Sequence, residues 1–309
     1  MKLASIDIGT NTVLLLIAEV SPAGAVSPLV SEQRIPRLGK GVDAARRLAP
    51  ESMRRVVDVL SEYRPIIDRH RPDHVTLCGT SAVRDAANRG EFVALVKAET
   101  GFDVEVLSGD EEARWTYRGA ISGLPGASRV AVLDIGGGST ELSLGDAHGP
   151  TRSLSMDVGA VRLTERFLAS DPPTPEEIAA ATRDVRSHLE RTKSFDTRGR
   201  TLVAVAGTPT SLAILAQALP RFSVDAVTNY PLSRASVAAL LKRLSGMPVA
   251  DIRELSEVME GRADVIVAGA LIMLEIMEMH GFGEAIVSDR GVRYGIVLRE
   301  WERTGDNGQ

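Results

Sequence analysis

The densest concentration of chemistry in the chain is Asp134-Ile-Gly-Gly-Gly-Ser-Thr-Glu141. Three successive glycines, Gly136, Gly137 and Gly138, let the backbone approach a ligand closely and aim its N–H groups inward, which is how main chain binds an anion. A phosphate is the natural occupant. The acids at the two ends of the loop, Asp134 and Glu141, can hold Mg²⁺, with Mn²⁺ as the second choice, because a hard cation is satisfied by a few carboxylates plus substrate phosphates and water. Gly-Gly-Gly alone would read as a glycine-rich hairpin capped by surface acids. The flanking Asp and Glu, and an earlier copy of Asp-Ile-Gly, favour the binding loop.

That copy is Asp7-Ile-Gly-Thr-Asn-Thr12, where Thr10, Asn11 and Thr12 offer hydroxyl and amide donors in place of bare backbone. If the two halves face one another, a phosphate chain is gripped from both sides of a cleft; a plain tight turn is the alternative. Ala206-Gly-Thr208 follows a third apolar run, and with Thr208 capping the next helix the amides of Gly207 and Thr208 form another anion site. Arg84, in Gly79-Thr-Ser-Ala-Val-Arg84, is placed to bind phosphate bidentately, although a lone loop arginine is more often a surface charge. Ser108-Gly-Asp-Glu111 matches a capping box and puts Glu112 in the first turn of a helix, where acids are ordinary residues.

The elements that must carry these residues alternate in an α/β pattern. Lys2 to Ile8, Val13 to Val20 and Ser27 to Leu38 read as strands, followed by a helix from Glu51 to Arg69, a strand from Val75 to Gly79, a helix from Phe92 to Thr100, a strand from Asp103 to Leu107 and a helix from about Gly109 to Ala120. The second half opens like the first, with strands Val130 to Ile135 and Thr140 to Leu144. Helices are expected over Val158 to Leu168, Thr174 to Lys193, after Thr208, Ser233 to Leu244, Ala263 to His280 and from Arg290 to about Trp301, with strands at Leu202 to Ala206 and Ala285 to Ser288. Gly123-Leu-Pro-Gly126 is the linker signal. It implies an N-terminal domain over 1–124 and a C-terminal domain over 125–309, with the last helix, about 292–309, able to pack back on the first.

The chain has 309 residues, 44% hydrophobic and 25% charged, with net charge −5, long enough for two domains with their own cores. This charge gives no general attraction to nucleic acid or anionic membrane, so a polyanion must be held by a local basic site. Cys78 is the only cysteine; it suits a reducing compartment and reads as a buried strand thiol. Ala263 to Met279 is broken by Asp264, Glu275 and Glu278 and falls short of the ~18 uninterrupted apolar residues of a membrane span, and Asp7 and Asn11 interrupt the N-terminal stretch before a secretory core forms. A cytoplasmic protein is expected. The five histidines have no metal-ligand spacing. Arg34, Arg37 and Lys40 could steer an anion, but a solvated strand explains them as well.

Taken in order, these motifs, with Arg262-Ala-Asp-Val-Ile266 and Ser288-Asp-Arg-Gly-Val-Arg-Tyr-Gly295, resemble the exopolyphosphatase and guanosine pentaphosphate phosphohydrolase (Ppx/GppA) family over nearly the whole chain. The resemblance implies two actin-like, ribonuclease-H-like domains of the sugar kinase, Hsp70 and actin superfold with a cleft between them. It implies Glu112 as the base that orients and deprotonates water, Asn11 with Arg84 as ligands of the terminal phosphoryl group, Gly136, Gly137, Gly138, Ser139 and Thr140 as phosphate ligands, and Asp134 and Glu141 as Mg²⁺ ligands. Glu112 at a helix start should stay ionised and only weakly basic. Thr10 and Thr12 stand where the family often has serine, and Ala206 where glycine is frequent. The chain is similar to the short, two-domain form without the helical domains of long members.

The expected substrate is inorganic polyphosphate, hydrolysed to orthophosphate and a shortened chain, with guanosine pentaphosphate as the rival and a homodimer as a possible assembly. Readings of another class are an actin-like ATP-dependent kinase, for which no acceptor-binding signature is seen, and a non-catalytic polyphosphate or alarmone sensor, which would need no base.

Overall fold

β-Branched and leucine-rich runs set between capped, amphipathic segments produce eleven strands and thirteen α-helices among the described residues of the computed structural model, which are 1–124, 126 and 128–306. In chain order they are β1 (Lys2–Ile8), β2 (Val13–Val20), β3 (Val26–Arg34), α1 (Val42–Ala45), α2 (Pro50–His70), β4 (His74–Gly79), α3 (Ser81–Asp85), α4 (Arg89–Thr100), β5 (Val104–Val106) and α5 (Gly109–Ile121). Then come β6 (Val130–Ile135), β7 (Thr140–Asp146), β8 (Gly149–Met156), α6 (Ala160–Phe167), α7 (Pro175–Leu189), β9 (Thr201–Val205), α8 (Gly207–Ala216), α9 (Val224–Val227) and β10 (Tyr230–Ser233). The chain closes with α10 (Arg234–Leu244), α11 (Val249–Arg253), α12 (Ile266–Met279), β11 (Glu284–Val287) and α13 (Val292–Asp306).

The chain divides into two units, one of residues 1–125 with 290–309 and one of residues 126–289. Pro125, within the expected linker, lies outside the described residues, as do 307–309 of the expected last helix. The first unit is built on a sheet of order β3-β2-β1-β4-β5, antiparallel through β1, β2 and β3 and parallel through β1, β4 and β5. The second repeats that plan as β8-β7-β6-β9-β11, with β10 added antiparallel to β11. The two Asp-Ile-Gly copies therefore occupy equivalent places: Asp7 and Asp134 each sit one residue before the end of the central strand. This is the duplicated, actin-like α/β architecture expected from the resemblance.

Strand alternation decides what each face of the first sheet meets. Ala4, Ile6 and Ile8 point into a core with Val56, Leu60 and Tyr63 of α2 and Phe92 and Val96 of α4. Leu3, with Leu16, Ala18 and Val20 of β2, packs instead on Tyr294, Val297 and Leu298 of α13. On that face Ser5 donates to the Arg293 carbonyl at 2.8 Å. α13 also lies against α5 so closely that a Cβ on Gly295 would overlap the Trp115 carbonyl, and one on Gly119 would overlap the Gly291 carbonyl. The capping box at Ser108 forms as expected, with Glu111 N–H on the Ser108 hydroxyl and the Glu111 carboxylate on the Ser108 N–H, and starts α5 one residue later. In the second unit α12 is mostly interior, with Ile266, Leu271, Met273 and Met277 in the core, while Glu275 pairs with Arg186 at 2.6 Å and Glu278 is exposed. Among the described residues no helix is long and apolar enough to cross a membrane.

Two strands escape the sequence reading. β8 begins Gly-Pro and is an edge strand with several part-exposed positions, so its apolar alternation is weak; β10 has only four residues. The third strand ends at Arg34 rather than Leu38, since Pro36 and a left-handed Arg37 (φ 54°) turn the chain there.

Candidate functional site

In the first unit the segments that follow the parallel strands are sewn together at one edge of the sheet. The Thr80 N–H donates to the Ile8 carbonyl at 3.1 Å, and the Leu107 N–H to the Gly79 carbonyl at 2.9 Å. This is the carboxyl edge, where open α/β sheets place their ligands. The turn after β1 closes with Gly9 N–H on the Thr12 carbonyl at 2.9 Å, while the Thr10 and Asn11 carbonyls accept from Gly39 and Arg37. Thr10 is buried; Asn11 and Thr12 are half-buried.

Arg84, in the short helix after β4, donates from Nη1 to Glu112 Oε2 at 2.7 Å and to the Leu107 carbonyl at 3.1 Å. Glu112 is only 8% exposed. Burial is the main influence on its carboxyl group and raises its pKa; the Arg84 charge and hydrogen bonds from Arg84 and Thr80 pull it down without cancelling the rise. This corrects the expectation that a helix-start position keeps Glu112 weakly basic. Desolvation outweighs the helix terminus, and the carboxylate becomes a stronger base than an exposed one. Thr80, within a motif already noted but not singled out, is the residue sequence reasoning missed here. Cys78 is buried in β4 with its thiol pushed far up by burial, so it is an inert core residue. Arg34 is spent on Glu32 and Glu62.

In the second unit the glycine loop leaves β6 and returns as β7, closed by Gly136 N–H on the Ser139 carbonyl at 3.0 Å. Its three glycine carbonyls are turned toward α6. Gly136 O accepts from Ala160 N–H at 2.9 Å, Gly137 O from Val161 N–H at 2.8 Å and Arg162 N–H at 3.1 Å, and Gly138 O from Arg162 Nε at 2.7 Å. A trans peptide points its N–H opposite its C=O, so the amides of Gly137, Gly138 and Ser139 are aimed away from α6. None of these three amides meets a protein acceptor among the described residues. The loop is thus a set of converging donors suited to an anion. Only glycine fits where α6 begins, because a Cβ on Gly159 would lie 2.6 Å from the Gly137 carbonyl carbon and oxygen. Thr140 is placed differently from its expected role: fully buried, its hydroxyl donates to the Val158 carbonyl at 2.6 Å, fixing the turn.

Asp134 and Glu141 are directly opposed in the β6–β7 ladder, so their side chains share one face of the sheet. Both are buried, and Glu141 Oε1 accepts from the Ser155 hydroxyl at 2.6 Å. Like charges directly opposed destabilise a sheet; a shared cation turns the same pair into a ligand set. Two hard carboxylates fit Mg²⁺ or Mn²⁺, which complete their shells with phosphate and water. Among the described residues no group of three or more His, Cys, Asp or Glu gathers.

β9 lies parallel beside β6, with Val205 in register with Asp134, which brings Gly207 and Thr208 alongside the glycine loop. Here too the expectation needs correction. α8 starts at Gly207 and its N-cap is Ala206, without a side-chain cap. Thr208 lies within the first turn, its side chain packed where a Cβ on Gly269 would fall. Ala206 takes φ 75°, ψ −169°, a region nearly confined to glycine. Arg262 donates to the Gly207 carbonyl at 3.2 Å and the Ser211 hydroxyl at 3.0 Å, and burial lowers its guanidinium to about 10.

A model of the Ppx/GppA phosphatase family matches residues 16–304. Exopolyphosphatase 2 of Mycobacterium tuberculosis is 39% identical over 313 residues, covering 96% of this chain and 98% of its own. Among solved structures, an exopolyphosphatase from Cytophaga hutchinsonii has a TM-score of 0.90 at 28% identity, over 98% of both chains. The Ppx/GppA family member of Aquifex aeolicus has a TM-score of 0.83 at 32% identity, again over 98% of both.

Proposed function

Because the chain belongs to the Ppx/GppA phosphatase family, we propose that it is an exopolyphosphatase, releasing terminal orthophosphate from inorganic polyphosphate by attack of water. The observation that carries this reading is the buried Glu112 carboxylate, raised in pKa by desolvation and held by Arg84 at the carboxyl edge of β1, β4 and β5. A binding protein has no need of such a base, and a general base works best when its pKa approaches the working pH.

In this mechanism Glu112 accepts a proton from water as the oxygen attacks the terminal phosphorus in line, and the shortened chain departs with the bridging oxygen. Arg84 keeps Glu112 oriented and, with Asn11, Thr10 and Thr12, supplies donors to the terminal phosphoryl group. Within the second unit, the amides of Gly137, Gly138 and Ser139, with Gly207 and Thr208, are donors suited to phosphate oxygens. Asp134 and Glu141 would hold Mg²⁺ or Mn²⁺, which when bound supplies neutralisation of phosphate charge.

The test is orthophosphate release by the purified protein from short polyphosphate, long polyphosphate, guanosine pentaphosphate and ATP, each with Mg²⁺ or Mn²⁺. Release from polyphosphate is expected. Turnover of guanosine pentaphosphate alone would replace the substrate, and phosphorylation of an acceptor from ATP without polyphosphate hydrolysis would replace the reaction class.

A further inference from the structure

Arg162 is an arginine in a place that seldom tolerates one: it is 7% exposed, in the first turn of α6, behind the glycine loop. A buried guanidinium is costly unless its donors are used. One use is specific to the loop. Arg162 Nε holds the Gly138 carbonyl at 2.7 Å, the last of three carbonyls drawn toward α6. The first two are held by backbone N–H groups of α6 itself, which no substitution at those positions removes. The third peptide, Gly138–Ser139, has a glycine on one side and is held by a side chain. Without that hold it can rotate, and the Ser139 amide goes with it.

We propose that Arg162 is a positioning residue for phosphate binding, fixing the Gly138–Ser139 peptide so that the Ser139 amide faces the anion. This rests on the reading of the glycine loop as a phosphate site. Arg162 touches no substrate in this arrangement; it acts through the peptide. What matters is the donor at Nε, and the charge is secondary. Glutamine carries an amide nitrogen the same number of bonds from Cα as arginine Nε, so Arg162→Gln retains the donor and removes the charge, while Arg162→Met retains length and removes both.

The experiment compares wild type, R162Q, R162M and Gly159→Ala by calorimetric binding of tripolyphosphate, by kcat and KM on short polyphosphate, and by thermal melting. A hydrogen bond to a charged ligand corresponds to about a ten- to hundredfold change in affinity. R162M is therefore expected to weaken tripolyphosphate binding and raise KM by at least about tenfold, with R162Q within about threefold of wild type. Gly159→Ala, which pushes the loop from behind without touching Arg162, is expected to match R162M. If R162Q is as impaired as R162M at temperatures where both are folded, charge and not peptide orientation is at work and the proposal falls. It falls equally if R162M binds as wild type does. Should R162M fail to fold, a wild-type-like R162Q beside an impaired Gly159→Ala supports the proposal, and an impaired R162Q or an unimpaired Gly159→Ala overturns it. Binding without turnover in wild type would remove the hydrolase reading while leaving this comparison intact.

Discussion

Arg84 and Glu112 form a 2.7 Å ion pair in which the arginine is itself tied to the Leu107 carbonyl, so the cation is anchored to the strand edge and the carboxylate takes its direction from it. Arg84 is the main favourable influence on the charged form of Glu112, opposing desolvation. Replacing it with methionine leaves burial unopposed and lifts the Glu112 pKa further. The ionised form is the active base, so activity is lost as pH falls through that pKa. The acid limb of kcat/KM for Arg84→Met should lie at higher pH than that of wild type, with kcat near neutrality about ten- to a hundredfold lower. An unshifted limb would remove Arg84 from the tuning of this base.

Glu112→Gln should reduce kcat by about 10²–10⁴-fold while tripolyphosphate still binds. It also carries a stability signature. A carboxyl whose folded pKa is raised stabilises the fold below its unfolded pKa, and that contribution is lost as pH rises through the folded value. At neutral pH the glutamine variant should thus melt at or above the wild-type temperature, and the difference should vanish at pH values below the ordinary carboxylate range. Melting curves across pH read this directly; a variant destabilised at every pH would contradict it.

Asp134→Asn and Glu141→Gln each take one acid from an opposed pair. The Mg²⁺ concentration for half-maximal activity should rise at least about tenfold, while melting in EDTA is unchanged or improved by about 0.2–1 kcal/mol, the scale of a relieved cross-strand repulsion. Loss of stability in EDTA without a shifted Mg²⁺ titration would assign the pair a structural role instead.

Ala206 holds φ 75°, ψ −169°, which costs a non-glycine residue about 1–3 kcal/mol. Glycine avoids this but loses about 0.5–1 kcal/mol more backbone entropy on folding. Ala206→Gly should therefore stabilise by about 1 kcal/mol, read as an increase of about 2–4 °C in melting temperature. A lowered melting temperature would show that the backbone there is not strained.

How much of this was legible in sequence depended on whether a residue's role is local. The capping box at Ser108 was, because its four residues satisfy one another within a single turn. So was the equivalence of Asp7 and Asp134, since a shared tripeptide at the end of a strand survives duplication. Glu112 was found through resemblance, but its basicity was misjudged: burial comes from what packs on α5, and that includes a helix far along the chain. Ser155, the donor to Glu141, and Arg162, the grip on Gly138, gave no local signal, since a serine in a weak edge strand and an arginine in an amphipathic helix are both commonplace. Thr208 looked like a cap until Ala206 proved able to enter the glycine region and start α8 two residues sooner.

α13 closes a face of the first sheet that β1 and β2 leave apolar, through Leu3, Leu16, Ala18 and Val20, yet it is encoded after the entire second unit. During synthesis at ~5–20 residues per second, the nascent first unit waits on the order of ten seconds or more with that surface bare, while the second unit can complete itself as it emerges. Chaperone dependence should consequently fall on the amino-terminal half of the polypeptide, and a ribosome stalled before Arg290 should display a first unit that proteases and apolar dyes can still enter.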